Sequence, residues 1–506
     1  MKNCNIYFGA LTSKPYAFKA RSWELKSIET IDLFDSLGSN IRIDIRGSDI
    51  MRVLPINNNV INEEWISDKA RFAYDSLKRQ RFINPMINKN GLFIQSTWRD
   101  TLHFINNTLN SSNFGNFIIN TGNFTDLEHI VALHNFSKEI NKKLSISINY
   151  KNSVNADLQE YYLLNNNIFK QDGQKVLILV GLNIRLENPI LNIKFRRLST
   201  LNNILIGYIG SRYNTNVNFI HLGNNISILN KIFSGKHPFC SLILNFIKIN
   251  QKNNKIKNCF KSKFSIIFGN ESNNIKKFLN ILENVSGSSE IYKFFNFNVL
   301  HNYSGEINFR ELGFYNNSQI NINKKSIYYL LNTEILPDFK QDDFVIFQGH
   351  HSTRLRKKIN VILPNLTWIE KSSLYINCFG NVQKTQHVIK SPINVRDDFK
   401  ITLMLTNFLI NTNKKKNINF LYDVDFIHFQ LNNLSPNIMN FVNSYKLDNL
   451  QSLFFRNDIK KFIKISIMPF KSFIHNYYKI LNIEKLSKIM MKCSKSFETK
   501  KTNFFK

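Results

Sequence analysis

Paired cysteines are missing from this chain. Its five, Cys4, Cys240, Cys259, Cys378 and Cys493, are far apart and form no C-x-x-C pair. A disulfide framework and a self-contained zinc or iron–sulfur motif are therefore not expected, and free thiols in a reducing compartment are. Long apolar runs are also missing. The most apolar windows, such as Ile401–Ile410, fall short of the roughly 18 residues a bilayer span needs. No G-x-G-x-x-G is present: Gly207 and Gly210 supply only two of the glycines a dinucleotide-binding turn uses, so NADH or FAD binding is not expected. Acidic residues are few, 36 against 67 basic ones, which gives a formal charge of +31. That balance suggests nucleic acid, but the basic residues are spread along the chain and form no arm or stripe. Lys, Asn, Ile and Phe are abundant and Ala is scarce, as an A/T-rich coding sequence would produce at tolerant surface positions.

What is present is enough chain for several cores. A length of 506 residues with 43% hydrophobic residues allows two or three globular domains. The alternation of Ile41, Ile43 and Ile45 predicts a half-buried strand, with Gly47-Ser48 turning into Ile50–Leu54. Beyond residue 82 the pattern changes. Asn116–Asn120, Lys175–Leu182, Ile204–Ile209, Phe264–Phe268, Tyr328–Leu331 and Phe344–Phe347 are continuous apolar runs, as strands buried on both faces require. Between them lie helical stretches, such as the one after Thr125, Asp126 and Glu128, where an N-cap precedes an acidic first turn. The expected fold is α/β, with mostly parallel doubly wound sheets and helices on both faces, preceded by a small mixed α+β domain. Gln251–Lys263 and Asn411–Asn419 are expected to be solvated loops.

The most informative stretch is Asn62–Arg81, NEEWISDKARFAYDSLKRQR. It predicts a helix capped by Ser67, with Asp68 at its positive end and Lys78, Arg79 and Arg81 at the other. With Gly9–Phe18 (GALTSKPYAF), Val180–Asn183, Ser234–Phe239, Val299–His301, Val345–His351 (VIFQGHH), Glu370–Asn377 (EKSSLYIN) and a final segment over Lys485–Lys495, it resembles the large iron–sulfur subunit of respiratory complex I. The resemblance covers nearly the whole chain and matches the family's molybdopterin-oxidoreductase-like part. It implies a docking segment at the end of the iron–sulfur region over residues 1–25. A small domain of the 4Fe-4S Mo/W bis-MGD type without its cysteines follows over 26–82, then the molybdopterin-oxidoreductase-like α/β domain over 83–440, and a mainly helical C-terminal extension over 441–506. It further implies a peripheral-arm subunit of NADH:ubiquinone reductase, on the matrix side of the inner mitochondrial membrane, with no active site of its own. The expected partners are other peripheral-arm subunits, above all a separate polypeptide carrying the N-terminal iron–sulfur domain. FMN and the other iron–sulfur clusters would reside in partner subunits. The family-like motif begins within ten residues of Met1, leaving no room for an amphipathic presequence, so synthesis inside the organelle is expected.

Candidate chemistry is sparse. In the resembled family a cysteine three residues before the motif's glycine completes a [4Fe–4S] cluster; here Ile6 stands at that position and Cys4 is the nearest thiol, the one candidate metal ligand. His350 and His351, adjacent at a strand end, are expected to point apart and to be structural. Pterin-binding relatives carry N-x-E-G-R-x-Q, and here Asn377–Gln383 places Phe379 and Asn381 at the charged positions. Molybdopterin is therefore not expected. Glu63, Glu64 and Asp68 could form an acid/base pair but fit a solvated turn more simply, and Cys378 and Cys493 are expected to be buried small hydrophobes. Three other readings remain: an organellar nucleic-acid-binding protein, a redox-active chain completing a cluster through Cys4, and a free-standing molybdenum oxidoreductase.

Overall fold

The computed structural model describes residues 13, 15–111, 114–140, 145–149, 162–169, 176–201, 204–213, 216–225, 227–243, 245, 264–269, 295–313, 325–333, 337, 339–351, 359–411, 423–436, 438 and 482–504. Cys4, Cys259, the loop expected at Gln251–Lys263 and, past its first residue, the loop expected at Asn411–Asn419 lie outside them.

A three-stranded antiparallel sheet opens the structure: β1 (Lys26–Ile31), β2 (Asn40–Arg46) and β3 (Asp49–Pro55), in that order. Ile41, Ile43 and Ile45 point into one core with Ile31, Leu33, Val53 and Trp368, and Gly47 turns the chain at φ +62° as the alternation predicts. The loop between β1 and β2, residues 32–39, is almost entirely buried.

Two larger sheets follow. In one, the order is β5 (Leu92–Gln95), β4 (Met86–Lys89), β15 (Val361–Leu363), β14 (Phe344–Gln348), β13 (Ser326–Leu331), β6 (Asn116–Thr121) and β7 (Ser145–Asn149). The five from β15 to β7 are parallel, and the hairpin β4–β5 is added antiparallel at one edge. The other is all parallel, in the order β10 (Ile220–Gly223), β9 (Leu205–Ile209), β8 (Val176–Val180), β11 (Phe264–Gly269) and β12 (Phe295–Leu300). Every side chain of β8 is buried, as its unbroken Val-Leu-Ile-Leu-Val demands. Full burial of such residues is worth roughly 1.5–3 kcal/mol each. A short hairpin, β16 (Leu374–Ile376) with β17 (Val382–Lys384), packs beside them.

Helices pack on both of the larger sheets. Leu127–Ile140 and Asp398–Asn411 pack on the seven-stranded sheet, and Pro189–Leu201 packs on the five-stranded one. The apolar window Ile401–Ile410 thus lies in an interior helix, and among the described residues no helix is long and apolar enough to cross a membrane. Doubly wound, mostly parallel sheets behind a small β-rich domain match the expected fold class.

The helix predicted over Ser67–Arg81 is shorter than expected. It is α-helical only over Asp68–Phe72 and tightens into a 3-10 turn over Ala73–Ser76. Lys78, Arg79 and Arg81 lie beyond it, so they do not act on its dipole. Ser67 does cap it, accepting the Ala70 amide at 3.1 Å.

Candidate functional site

In open α/β sheets ligands bind outside the carboxyl ends of the strands, where the order reverses. Strand order puts these points between β6 and β13 in the larger sheet and between β8 and β11 in the smaller. Each is shut by a glycine. A Cβ on Gly122, just after β6, would overlap the backbone of Leu331, the last residue of β13, and of Asn332 beyond it. A Cβ on Gly269, the last residue of β11, would lie 2.5 Å from the Gly181 carbonyl oxygen beyond β8. At both points main chain runs directly against main chain.

The loop aligned with pterin binding is used internally. Asn377 Oδ1 accepts the Phe379 and Asn381 amides at 3.1 and 2.9 Å, Gly380 turns the chain at φ +85°, and Gln383 Nε2 donates to the Gly38 carbonyl at 2.9 Å. The Cys378 amide donates to Ser36 O at 2.7 Å and its carbonyl accepts the Leu164 amide at 2.8 Å. Phe379 is buried under Lys194, whose ammonium is 6.0 Å from the ring centroid and donates to Val60 O at 2.8 Å. With an apolar ring at one charged position, an amide at the other, and Asn377 Oδ1 and Gln383 Nε2 turned onto backbone, the loop does not fit a molybdopterin. Iron–sulfur ligation fails in the small domain for a simpler reason, since residues 25–75 contain no cysteine. Cys240 and Cys378 are buried, and burial first, Asp35 second, pushes the Cys378 thiol far up. Cys493 is only half-buried, contrary to expectation, because it sits on the helix Lys488–Phe504 at the rim of the small domain.

The densest chemistry is a buried ionic network at the carboxyl ends of the larger sheet. Lys371 Nζ donates to Asp126 and, at 2.8 Å, to Asp398 Oδ2. Asp126 caps the helix Leu127–Ile140 by accepting the His129 amide at 2.8 Å, and Asp398 begins the helix Asp398–Asn411. Asp398 also accepts Gln348 Nε2 at 2.8 Å, and Tyr329 Oη donates to the other end of that amide. His129 Nε2 meets Thr402 Oγ1 at 3.0 Å, and Glu128 accepts the Leu374 amide at 3.0 Å and faces His428 at 3.2 Å. Burial alone would lower the Lys371 pKa, but Asp126 and Asp398 outweigh it and raise it well above the ordinary value. Burial raises Asp398 and Lys371 lowers it, and the ammonium wins, leaving the carboxyl depressed. An ammonium held this firmly is neither base nor nucleophile, and at 5% exposure it meets no substrate. The network fastens two helix N-termini to the loop leading into β16. The sequence marks Asp126 within a capped, acidic helix start and Lys371 within EKSSLYIN, but not the contact between them.

A second buried cluster joins the end of Asn62–Arg81 to the same loop. Arg81 grips Glu370 with both guanidinium nitrogens, and Phe82 N donates to His350 O at 3.0 Å. The two histidines do not point apart: their Nδ1 atoms are 2.7 Å apart, because His350 and His351 have left the extended geometry of β14. Burial first, then His351 and Arg81, drives His350 well below its usual pKa; burial and Arg81 take His351 from 6.5 to about 4. Two neutral rings then share one hydrogen bond. Glu63 pairs with Arg197 at 3.0 Å, and Asn62, fully buried, donates to the carbonyls of Ile56 and Trp65, so this is a turn and not an acid/base pair.

The same stretch anchors the C-terminal helices Asn482–Leu486 and Lys488–Phe504. Lys69 and Glu484 form a buried ion pair at 3.0 Å, Asp75 Oδ2 accepts the Lys488 amide at 3.0 Å, and Arg79 donates to Leu486 O at 3.3 Å. Among the described residues no group of three or more His, Cys, Asp or Glu is placed to hold a metal.

The molybdopterin oxidoreductase family model matches residues 81–408, and the NADH-ubiquinone oxidoreductase NDSU1/NuoG-like 4Fe-4S domain model matches residues 25–75. The NADH-ubiquinone oxidoreductase 75 kDa subunit of Reclinomonas americana is 35% identical over 531 residues, covering 97% of this chain and 71% of the relative. NADH dehydrogenase (ubiquinone) iron-sulfur protein 1, mitochondrial, of Solanum tuberosum is 32% identical, covering 96% and 64%. The mitochondrial 78 kDa subunit of Candida albicans is 32% identical, covering 97% and 67%. The chain thus spans about two thirds of the length of these relatives.

Proposed function

Because the chain belongs to the family of 75 kDa iron–sulfur subunits of NADH-ubiquinone oxidoreductase, we propose that it is a peripheral-arm subunit of mitochondrial complex I that scaffolds electron transfer and conducts none itself. The observation that carries the scaffold reading is the closure of both strand-order reversals by backbone at Gly122 and Gly269, with the pterin-type loop consumed in internal hydrogen bonds. Its contribution is to bury and orient cluster-bearing polypeptide, the outer shell that sets solvation and potential. NADH oxidation, flavin and ubiquinone chemistry belong to other parts of the assembly.

In this reading the partner is a polypeptide carrying the iron–sulfur part of the family that lies outside the matched two thirds, and the complex stands on the matrix side of the inner membrane. The domains run 1–25 for docking, 26–82 for the small domain, 83–440 for the α/β region and 441–506 for the C-terminal extension. Cys4 is the one candidate thiolate for a shared [4Fe–4S] cluster; paramagnetic spectra left unchanged by Cys4→Ser remove it from the ligand set. Blue-native electrophoresis of mitochondrial extracts, probed for this chain, tests the whole reading. Co-migration with NADH-oxidising activity is expected, and migration as a free protein sinks it. Metal analysis of the purified chain is expected to find neither molybdenum nor tungsten.

A further inference from the structure

The larger sheet ends on one side at β5, which pairs with β4 along one edge and, among the described residues, with no strand along the other. The register shows which backbone groups that open edge presents. Asn88 donates its amide to Asn360 O at 2.8 Å, toward β15, so Asn88 and its partner Phe93 form a pair without mutual hydrogen bonds. Phe93 and, two residues on, Gln95 therefore turn N–H and C=O outward. The side chains of the strand's other two residues stand in water, Leu92 at 73% exposure and Ile94 at 49%. Natural edges are protected by charge, proline, a bulge or a cover. Leu-Phe-Ile-Gln has no charge and no proline, and its register with β4 is unbroken. Apart from its shortness, β5 has the make-up of an inner strand. Its surroundings are apolar and then basic. Ile393, 94% exposed, is held near the end of β5: Trp98 Nε1 donates to Asn394 O at 2.8 Å, Asn394 Nδ2 to Asn84 Oδ1 at 2.7 Å, and Asn84 Nδ2 to Gln95 Oε1 at 3.1 Å. Exposed Lys89, across from Leu92, marks one end of the strand, and exposed Arg99 and Arg396 mark the other. The adjoining acids are engaged, since Asp100 accepts the Thr97 hydroxyl at 2.7 Å and Asp397 pairs with Lys400 at 3.5 Å.

We propose that β5 is a docking edge whose occupant is an extended segment of another polypeptide, an apolar run about as long as β5 itself with Asp or Glu at both ends. The backbone decides for a peptide. A row of outward N–H and C=O groups is completed by main chain, whose side chains then alternate onto the two faces the sheet already has. RNA, which the overall charge would attract, presents no such row. Charge decides among peptides, because Lys89 at one end and Arg99 and Arg396 at the other complement acids and repel basic segments. Leu92, Ile94 and Ile393 supply the apolar contact between those ends. The assignment does not depend on the scaffold reading, since it follows from the edge alone.

The test uses the full chain expressed in its own cells. Ile94→p-benzoylphenylalanine, irradiated there, is expected to give an adduct with another polypeptide, through a peptide carrying acids on both sides of an apolar run. No adduct, or one with this chain itself, with RNA or with a peptide lacking those acids, overturns the occupant. Hydrogen exchange reads the edge directly. The Gln95 amide is expected to exchange at least about tenfold more slowly in the native assembly than in the purified chain, and equal exchange overturns the docking. Leu92→Glu combined with Ile94→Glu changes two exposed positions and is expected to melt with wild type when purified, yet to recover at least about tenfold less of the crosslinked polypeptide. The corresponding pair of lysines is expected to recover more of it than the pair of glutamates. Recovery by the glutamate variant equal to wild type overturns the edge, and equal loss in both variants overturns the acidic flanks.

Discussion

The two parallel sheets solve one problem in different ways. Both are doubly wound, and in both a glycine seals the point where strand order reverses. The five-stranded sheet packs beside β9 locally and without charge: Tyr208 meets Tyr213 edge-on at 5.0 Å and stacks with Phe219, the residue before β10, at 6.2 Å. The seven-stranded sheet covers its edge with Lys371, Asp126 and Asp398, brought together from 245 residues apart. A topology that elsewhere makes a binding crevice can thus be closed by aromatic packing, which tolerates pH, or by ions, which do not. A buried ion pair is costly to break and is held only while every partner stays.

Removing the ammonium is the hardest blow to that contrast. Lys371→Met leaves two buried carboxylates uncompensated and is expected to cost about 3–5 kcal/mol in urea unfolding. Tyr213→Phe, at the aromatic edge, is expected to cost under ~1 kcal/mol, and comparable losses would erase the distinction.

The next effect is in pH dependence. The unfolded chain protonates His351 below about 6.5 and the folded imidazole only near 4. Its stabilising contribution is therefore full above pH 6.5 and drains as the pH falls through that window, by about 3 kcal/mol at most. Asp35 opposes it: burial holds its carboxyl at about 6, so its contribution is present below pH 3.8 and is lost as the pH rises through 6. His351→Gln should flatten the acid loss seen in thermal scans between pH 6.5 and 4.5, and Asp35→Asn should steepen it. A His351→Gln profile that overlays wild type would show that this cluster does not set the acid response.

Gly122→Ala and Gly269→Ala are each expected to destabilise by about 1–3 kcal/mol through backbone overlap. Tolerance of either, read by melting temperature, would mean that its sheet retains an open crevice. The smallest effect is at Ser67, where alanine should cost about 1 kcal/mol by removing the cap on Asp68–Phe72.

The sequence revealed most of what depends on neighbours along the chain. The unbroken apolar runs at Val176–Val180 and Phe344–Phe347, the cap at Ser67 and the capped acidic start at Thr125, Asp126 and Glu128 are local signals, and the structure places a strand or a helix start at each. One local signal went unused: Asn90-Gly91, both at positive φ, turns β4 into β5 as a two-residue hairpin. The rest depends on distant residues. Nothing near Lys371 in sequence names Asp126, and nothing near His350 shows that β14 ends at Gln348 and lets the His350 ring meet that of His351. The altered pterin-type loop was readable because an absent charge shows in the sequence, but its use as an internal brace was not.

The Lys371 network also sets a timetable. On a ribosome adding about 5–20 residues per second, Asp126 emerges roughly 12–50 s before the lysine that neutralises it, and Arg81 waits longer still for Glu370, 289 residues downstream. During that interval strands β6 and β7 have been made but lack the central strands they flank, and their apolar faces are open to chaperones and proteases. A chain truncated before residue 371 should therefore be cleared from the organelle rather than accumulate as a half-built scaffold.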